Sequence, residues 1–355
     1  MDKRWSAVVQ RIVQVLGIQP GDLVLVRDAA GRLDVLLEIS LAIETQGATP
    51  LIEFLPVEYR QRLWNEVPRE YLAHWDRHRS QWIQQADRYV VLAGADPDWE
   101  VVSREGYRAW ERAVHRLTVA EDARALSGPL VAVPTQARAE QLGLSLEALE
   151  AILLPALTAP VQELQAQVDR VLDVASEGQK ITVCSGTAHV LVMQQGDRPW
   201  HRDDGRSGSN LPAGSIHTTV LETETEGSLW LAQAGDATDV VFHFVQGRIE
   251  RIEAASGAEE LTEMFDSHSG EPRRVSHIGL GLNPYLRRPI GWTLVDEHIH
   301  GALFIAFGEN RYMGGQNESS LNVDFALPGA SLEIGGQTVV FEGTIVREED
   351  PDGSG

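Results

Sequence analysis

"KITVCSGTAHVLVMQ", Lys180 to Gln194, marks the point where the chain changes texture. Ile181 and Val183 alternate with Lys180, Thr182 and Cys184, the apolar run Val190–Met193 follows, and Gly186 sits between the two. Period-two alternation around a glycine turn is the pattern of antiparallel strands with one buried face. The same texture continues in "GSIHTTVLE", "EGSLWLAQAG" and "DVVFHFVQGRIERIEA", Gly214 to Ala254. One helix interrupts it, "SGAEELTEMFDSH", Ser256 to His268.

Before Lys180 the pattern is different. "GDLVLVRD", "TPLIEFLP", "ADRYVVLAGAD" and "SGPLVAVPT" are short apolar runs bounded by turn residues. Between the first two, "GRLDVLLEISLAIETQGA" has helical spacing and closes on Gly47. Short buried strands separated by helices predict a parallel α/β sheet. "LSLEALEAILLPALTAPVQELQAQVDRVLDVASEG" reads as two helices broken near Pro160 and ended by Gly178, bridging the halves. The fold class is therefore an α/β N-terminal domain with a parallel sheet plus an α+β C-terminal domain with antiparallel strands. The expected boundaries are 1–175 and 176–347, with a flexible tail at 348–355.

At 355 residues, two domains is the natural division. No apolar run reaches the length of a membrane span. The opening "MDKRWSAVVQRIVQVL" carries Asp2 and Gln10 and reads as a helix, not a signal peptide. A net charge of −22 argues against nucleic acid and anionic membrane as partners. Cys184 is the single cysteine, which excludes an intramolecular disulfide and fits the reducing cytoplasm.

Eight of the eleven histidines follow residue 180, so candidate chemistry concentrates in the second half. His74 and His78 in the first half are four apart, but beside Arg77 and Arg79 they read as a solvated helix face. Four later stretches stand out. In "RRVSHIGLGLNP", His277 runs into Gly279 and Gly281, where the backbone permits close approach. In "VDEHIHGALFIAFG", Asp296, Glu297, His298 and His300 lie within five residues; on a strand, His298 and His300 would share a face. In "GGQNESSLNVDFALPG", Asn322 and Asp324 fall on one strand face and Val323 on the other. In "NLPAGSIHTTVLETETEGSLWL", Ser215 and His217 share a face. Carboxylate and imidazole neighbours serve as metal ligands or as a general base with its orienting partner. Each stretch also has a bland reading, as a polar loop or a turn cap.

Together and in this order, the four stretches resemble the aminopeptidase T family of metallopeptidases. The resemblance implies two metal ions held by two glutamates, two histidines and an aspartate. Here Ser215 and His277 stand where the glutamates belong, Phe304 and Asn322 where the histidines belong, and only Asp324 matches. The ring-cleaving dihydroxypyridine dioxygenases are similar around "SHIGLGLNP". That branch implies an iron triad in which His277 and Asp324 match and Asn322 replaces a histidine.

The expectation is a mononuclear site for one divalent ion, Fe(II) or Zn(II)/Mn(II). Its candidate ligands are His277, Asp324, Asn322 and His217, and its candidate catalytic groups Glu297, His300 and Tyr312. The substrate is a small molecule or short peptide. An exo-aminopeptidase with rebuilt ligands and a non-catalytic binding protein are the alternatives. The resemblance also implies a homodimer.

Overall fold

The computed structural model describes residues 3–124, 126, 128–175 and 180–346. Residues 176–179, where the sequence places the domain boundary and the helix end at Gly178, and the tail 348–355 lie outside them. The chain forms two compact units. One comprises Met1–Val161 with Gly205–Ala213, the other Gln162–Asp204 with Gly214–Gly355.

The first unit is built on four parallel strands: β1 (Leu23–Asp28), β2 (Thr49–Phe54), β3 (Arg88–Ala93) and β4 (Leu130–Ala132), in the order β2-β1-β3-β4. In β1 the run Val24, Leu25, Val26 is wholly buried, as a parallel strand covered on both faces requires. The helix Leu33–Thr45 buries Val35, Leu36, Ile39 and Ile43 along one stripe. It ends at Gly47, whose φ of +78° suits glycine. Arg27 is held by Glu53 at 2.8 Å, by Glu121 at 3.3 Å and by the Tyr89 hydroxyl at 2.6 Å. The segment Gly205–Ala213 returns to this unit, where Leu211 exchanges backbone hydrogen bonds with Leu130 and Ala132 beside β4.

The second unit holds thirteen strands among its described residues. They are β5 (Lys180–Ser185), β6 (His189–Gln194), β7 (His201–Asp203), β8 (Ser215–Thr219), β9 (Glu226–Ala234), β10 (Ala237–Val245), β11 (Arg248–Glu253), β12 (Val275–Gly281), β13 (Leu303–Gly308), β14 (Asn322–Leu327), β15 (Ser331–Ile334), β16 (Gln337–Phe341) and β17 (Thr344–Ile345). They form an eight-stranded sheet, β11-β10-β9-β6-β5-β15-β16-β17, and a five-stranded sheet, β14-β13-β12-β8-β7. Every pairing is antiparallel. The helix Ala258–Asp266 follows β11, as its amphipathic spacing predicts.

Between them lies one apolar core. Ile216, Ile278, Leu280, Ile305, Phe307 and Phe325 of the five-stranded sheet join Phe242 and Phe244 of β10 and Phe265 of the helix. Phe307 is fully buried, with ring centroids at 5.4 Å from Phe242, 5.6 Å from Phe265 and 6.0 Å from Phe325. Burying one such side chain contributes about 1.5–3 kcal/mol. Because strand side chains alternate, this core commits one face of the five-stranded sheet and leaves the other for polar groups.

One local expectation is corrected. Glu297, His298 and His300 are not on a strand. They lie in turns after a short helix, Thr293–Asp296, and β13 begins only at Leu303. The Asp296 carboxylate accepts from the backbone N–H of Ile290 and Gly291, at 2.9 Å each, and ties this segment into a turn.

Candidate active site

The strand register decides which residues meet on the polar face. Across the sheet His217 lies opposite His201 and Gly279, and Gly279 lies opposite Phe304. In the next row Thr219 faces His277, His277 faces Ala306, and Ala306 faces Asp324. On the other side Asp203 faces Ser215. Asn322 follows the same parity as Asp324, opposite Gly308. His277 and Asp324 are thus two strands apart with only a methyl group between them. The small Ala306 lets imidazole and carboxylate converge, and His277 Nε2 comes within 3.1 Å of Asp324 Oδ1.

The environment of His277 fixes its tautomer. The register slips between Val275 and His277, a bulge that gives Ser276 an irregular position. The Ser276 hydroxyl donates to the Glu309 carbonyl at 2.8 Å, so in its 3.1 Å contact with His277 it accepts from Nδ1–H. In a neutral ring Nε2 then carries a lone pair, and it faces a carboxylate oxygen. That oxygen, Asp324 Oδ1, is buried and has no other polar partner among the described residues. An imidazole nitrogen and a carboxylate oxygen at this distance can share a cation, either a proton in an ion pair or a metal ion bound to both lone pairs.

His217 stands beside this pair. Its ring centroid is 5.6 Å from that of His277 and 5.2 Å from that of His201, which stacks on it. Burial, reinforced by His277, His201 and His298, pushes its pKa well below the usual imidazole range, so it is neutral at physiological pH. His201 donates from Nε2 to the Met313 carbonyl at 3.1 Å.

Glu297 is pushed the other way. Burial first, and then the carboxylates of Asp324, Asp203 and Asp296, raise its pKa well above the carboxylate range. Its carboxyl therefore keeps its proton to higher pH than an ordinary glutamic acid does. His298, almost wholly buried, donates from Nδ1 to the Leu294 carbonyl at 3.1 Å and sets Nε2 at 3.3 Å from Asp203 Oδ2.

Tyr312 sits on a short 3₁₀ turn, Arg311–Met313. The residue is half exposed, but desolvation of its hydroxyl and the nearby Asp324 carboxylate raise its pKa, so it remains a phenol. Asn322 Nδ2 donates to that hydroxyl at 3.3 Å. The loop carrying Tyr312 is fastened by buried amides. Asn310 donates from Nδ2 to Glu222 Oε1 and to the Ser276 carbonyl, at 3.3 Å each, and accepts from the Asn317 N–H at 2.7 Å. Glu222 also takes the Arg198 guanidinium, at 3.1 and 3.2 Å, and the Gln316 N–H at 2.7 Å.

The fit to metal can be judged on these groups. Phe304 cannot ligate, and its ring lies directly over Gly279. A Cβ added there would be 2.0 Å from Phe304 Cζ. Among the described residues no three His, Cys, Asp or Glu side chains are placed to hold an ion together. Of the four candidate ligands, Asn322 is exposed and its amide nitrogen is turned to Tyr312, while His217 stacks with His201. The residues thus fit one ion on the His277–Asp324 pair and do not fit a two-ion centre. Glu297 and Tyr312 belong to the same neighbourhood, since both feel the Asp324 carboxylate. His300 does not join it. It lines a separate cavity with Arg170 and Arg287.

Three contributors escaped the sequence reading: His201 and Asp203 on the three-residue strand β7, and Ser276 at the bulge. "HRD" has the same alternating polar spacing as "NVD", and that was the available signal. The bulge left no trace in the sequence, because it depends on a partner strand about thirty residues away.

A family model for NicX, 2,5-dihydroxypyridine 5,6-dioxygenase, matches residues 146–347. Wild-type AmpT from Thermus thermophilus is similar in structure, with a TM-score of 0.77 and 19% identity over 97% of this chain and 99% of that one. The 2,5-dihydroxypyridine dioxygenase from Pseudomonas putida KT2440 gives a TM-score of 0.64 and 17% identity over 97% of each chain. At these identities the two structures speak to the fold. No curated protein sequence matches.

Proposed function

The chain belongs to the 2,5-dihydroxypyridine 5,6-dioxygenase family, and from that premise we propose that it is an enzyme acting on a small hydroxylated ring compound at one divalent ion held by His277 and Asp324. The observation that carries this reading is the 3.1 Å approach of Nε2 to a buried carboxylate oxygen that has no other polar partner among the described residues. When bound, the ion would supply Lewis acidity and, as Fe(II), the capacity to engage oxygen.

The chain's own groups supply the rest. Ser276 holds His277 in the tautomer that leaves Nε2 free. His217, neutral, can accept the proton of a ring hydroxyl. Glu297, protonated, can return a proton to a ring oxygen or carbon. The Tyr312 hydroxyl can donate a hydrogen bond to the substrate, and the network around Asn310 and Glu222 keeps its loop in place. A two-ion aminopeptidase reading has less support, because Ser215, Phe304 and Asn322 stand at three of the positions it would need.

The test pairs two assays on the purified protein. Oxygen uptake on hydroxylated pyridines and catechols with Fe(II) should exceed background and vanish in Asp324→Ala. Aminoacyl-arylamide hydrolysis with Zn(II), Co(II) or Mn(II) should stay at background. Two tightly bound ions per chain, or peptide hydrolysis without oxygen uptake, would overturn the reading.

A further inference from the structure

His300 stands out in the sequence, yet the site just described does not use it. It lines a cavity of about 930 Å³ in the second unit, together with Arg170 of the helix Val161–Leu172, Arg287, Phe341 and Glu342. The wall here is built closely. The hairpin turn between β16 and β17 presses against the chain just after His300. A Cβ on Gly301 would be 2.1 Å from the Gly343 carbonyl oxygen, and Gly301 has a φ of +84°. Only glycine permits this approach, and it sets the hairpin beside His300.

We propose that this cavity binds a small organic anion, a carboxylate or phosphate carried on an apolar body. Two observations support this. First, the lining gathers positive charge on a chain whose net charge is −22. Arg170 donates only to Gln167 Oε1, at 3.4 Å, and Arg287 has no ion pair among the described residues, whereas most arginines here with a polar contact hold a carboxylate. Glu342 offsets one of the two charges, and His300 lines the same wall. Guanidinium groups without a carboxylate partner are available to bind oxyanions in two-point fashion. Second, the same lining exposes apolar surface: Phe341 is 59% exposed and Val346 44%. A bare inorganic ion would not use that surface, and the apolar part of an organic acid would.

This inference does not rest on the metal reading. Isothermal titration of the full chain at low salt, with chelator present, uses benzoate, phenyl phosphate, inorganic phosphate and chloride at matched ionic strength. Benzoate or phenyl phosphate should bind one to one and more tightly than inorganic phosphate. Which of the two binds better separates carboxylate from phosphate ligands. Arg170→Ala and Arg287→Ala should each weaken binding roughly tenfold and the pair more, with no change in melting temperature, since both side chains are exposed. Glu342→Gln should tighten binding. Binding no stronger than chloride, or binding lost in Asp324→Ala but kept in the arginine variants, would overturn the proposal.

Discussion

Gly279→Ala is the most direct test of how this site is packed. The new methyl would lie 2.0 Å from Phe304 Cζ and 2.4 and 2.5 Å from the adjacent ring carbons. Carbon atoms rest at about 3.5–4.0 Å, so the ring must retreat by roughly 1.5 Å. It has little room, since Phe304 is 2% exposed and packs edge-on against His277 with centroids 5.9 Å apart. Overpacking of this kind costs about 1–3 kcal/mol. The gain from replacing a strand glycine is about 0.5–1 kcal/mol at most, so the variant should be less stable than its parent.

The second arm isolates the cause. Phe304→Ala alone should cost about 3–5 kcal/mol by emptying a buried site. In that background Gly279→Ala meets no ring and should be neutral or stabilising. The double-mutant cycle should therefore show a coupling of about 1–3 kcal/mol in favour of the pair. Calorimetric melts of all four proteins measure it, with full heat-capacity traces because a chain of two units need not unfold in one step. Equal cost for Gly279→Ala in both backgrounds would refute the claim that the ring occupies the glycine's vacant side.

Three further outcomes follow from the same geometry. Titration with Fe(II) or Zn(II) should show binding abolished by Asp324→Ala and strengthened, on the order of tenfold, by Asn322→His; unchanged affinity in both would remove the metal from this pair. The folded pKa of Glu297 lies above its unfolded value of about 4.3, so the stability tied to its proton is full below that pH and is lost as pH rises through the folded value. Glu297→Gln should match the parent near pH 4 and exceed it in chemical denaturation at neutral and alkaline pH; the reverse order contradicts the burial argument. Phe307→Ala should lower stability by about 3–5 kcal/mol, read as a large drop in melting temperature, because four phenylalanine rings close on the space it fills.

What the sequence disclosed was local periodicity. Leu23–Asp28, Thr49–Phe54, Arg88–Ala93 and Leu130–Ala132 are the four apolar runs that read as buried strands, and they form the parallel sheet. The alternation from Lys180 onward gives the antiparallel half, and Asn322 and Asp324 share a face as their spacing requires. What stayed hidden depends on partners far along the chain. The return of Leu211 to the edge beside β4 is set by a strand about eighty residues earlier. His298 and His300 looked like strand neighbours because the apolar "ALFIAFG" follows them, but the Asp296 cap bends the chain first. His217 and His277 come together because β8 and β12 are neighbours, a pairing across some sixty residues that no local pattern announces.

The two faces of the five-stranded sheet are under different constraints, and this bears on how its chemistry can change. On the core face, replacing Ile278, Ile305 or Phe307 opens a cavity in a close-packed interior, and the cost falls on stability at once. On the polar face, some positions are matched to a particular neighbour, so the cost of change depends on the partner. Gly279 and Phe304 form one such matched pair, glycine's missing side chain holding the ring. Gly281 is another case, fixed by the backbone, since a Cβ there would be 2.2 Å from the Ile299 carbonyl oxygen. A phenylalanine can stand at position 304 without unfolding the sheet because its neighbour across the ladder has no side chain. Catalytic character on this fold can therefore shift through paired substitutions on one face while the aromatic core on the other stays in place. The approach of His277 to Asp324 depends likewise on a small neighbour: Ala306, between them on the middle strand, leaves their space open.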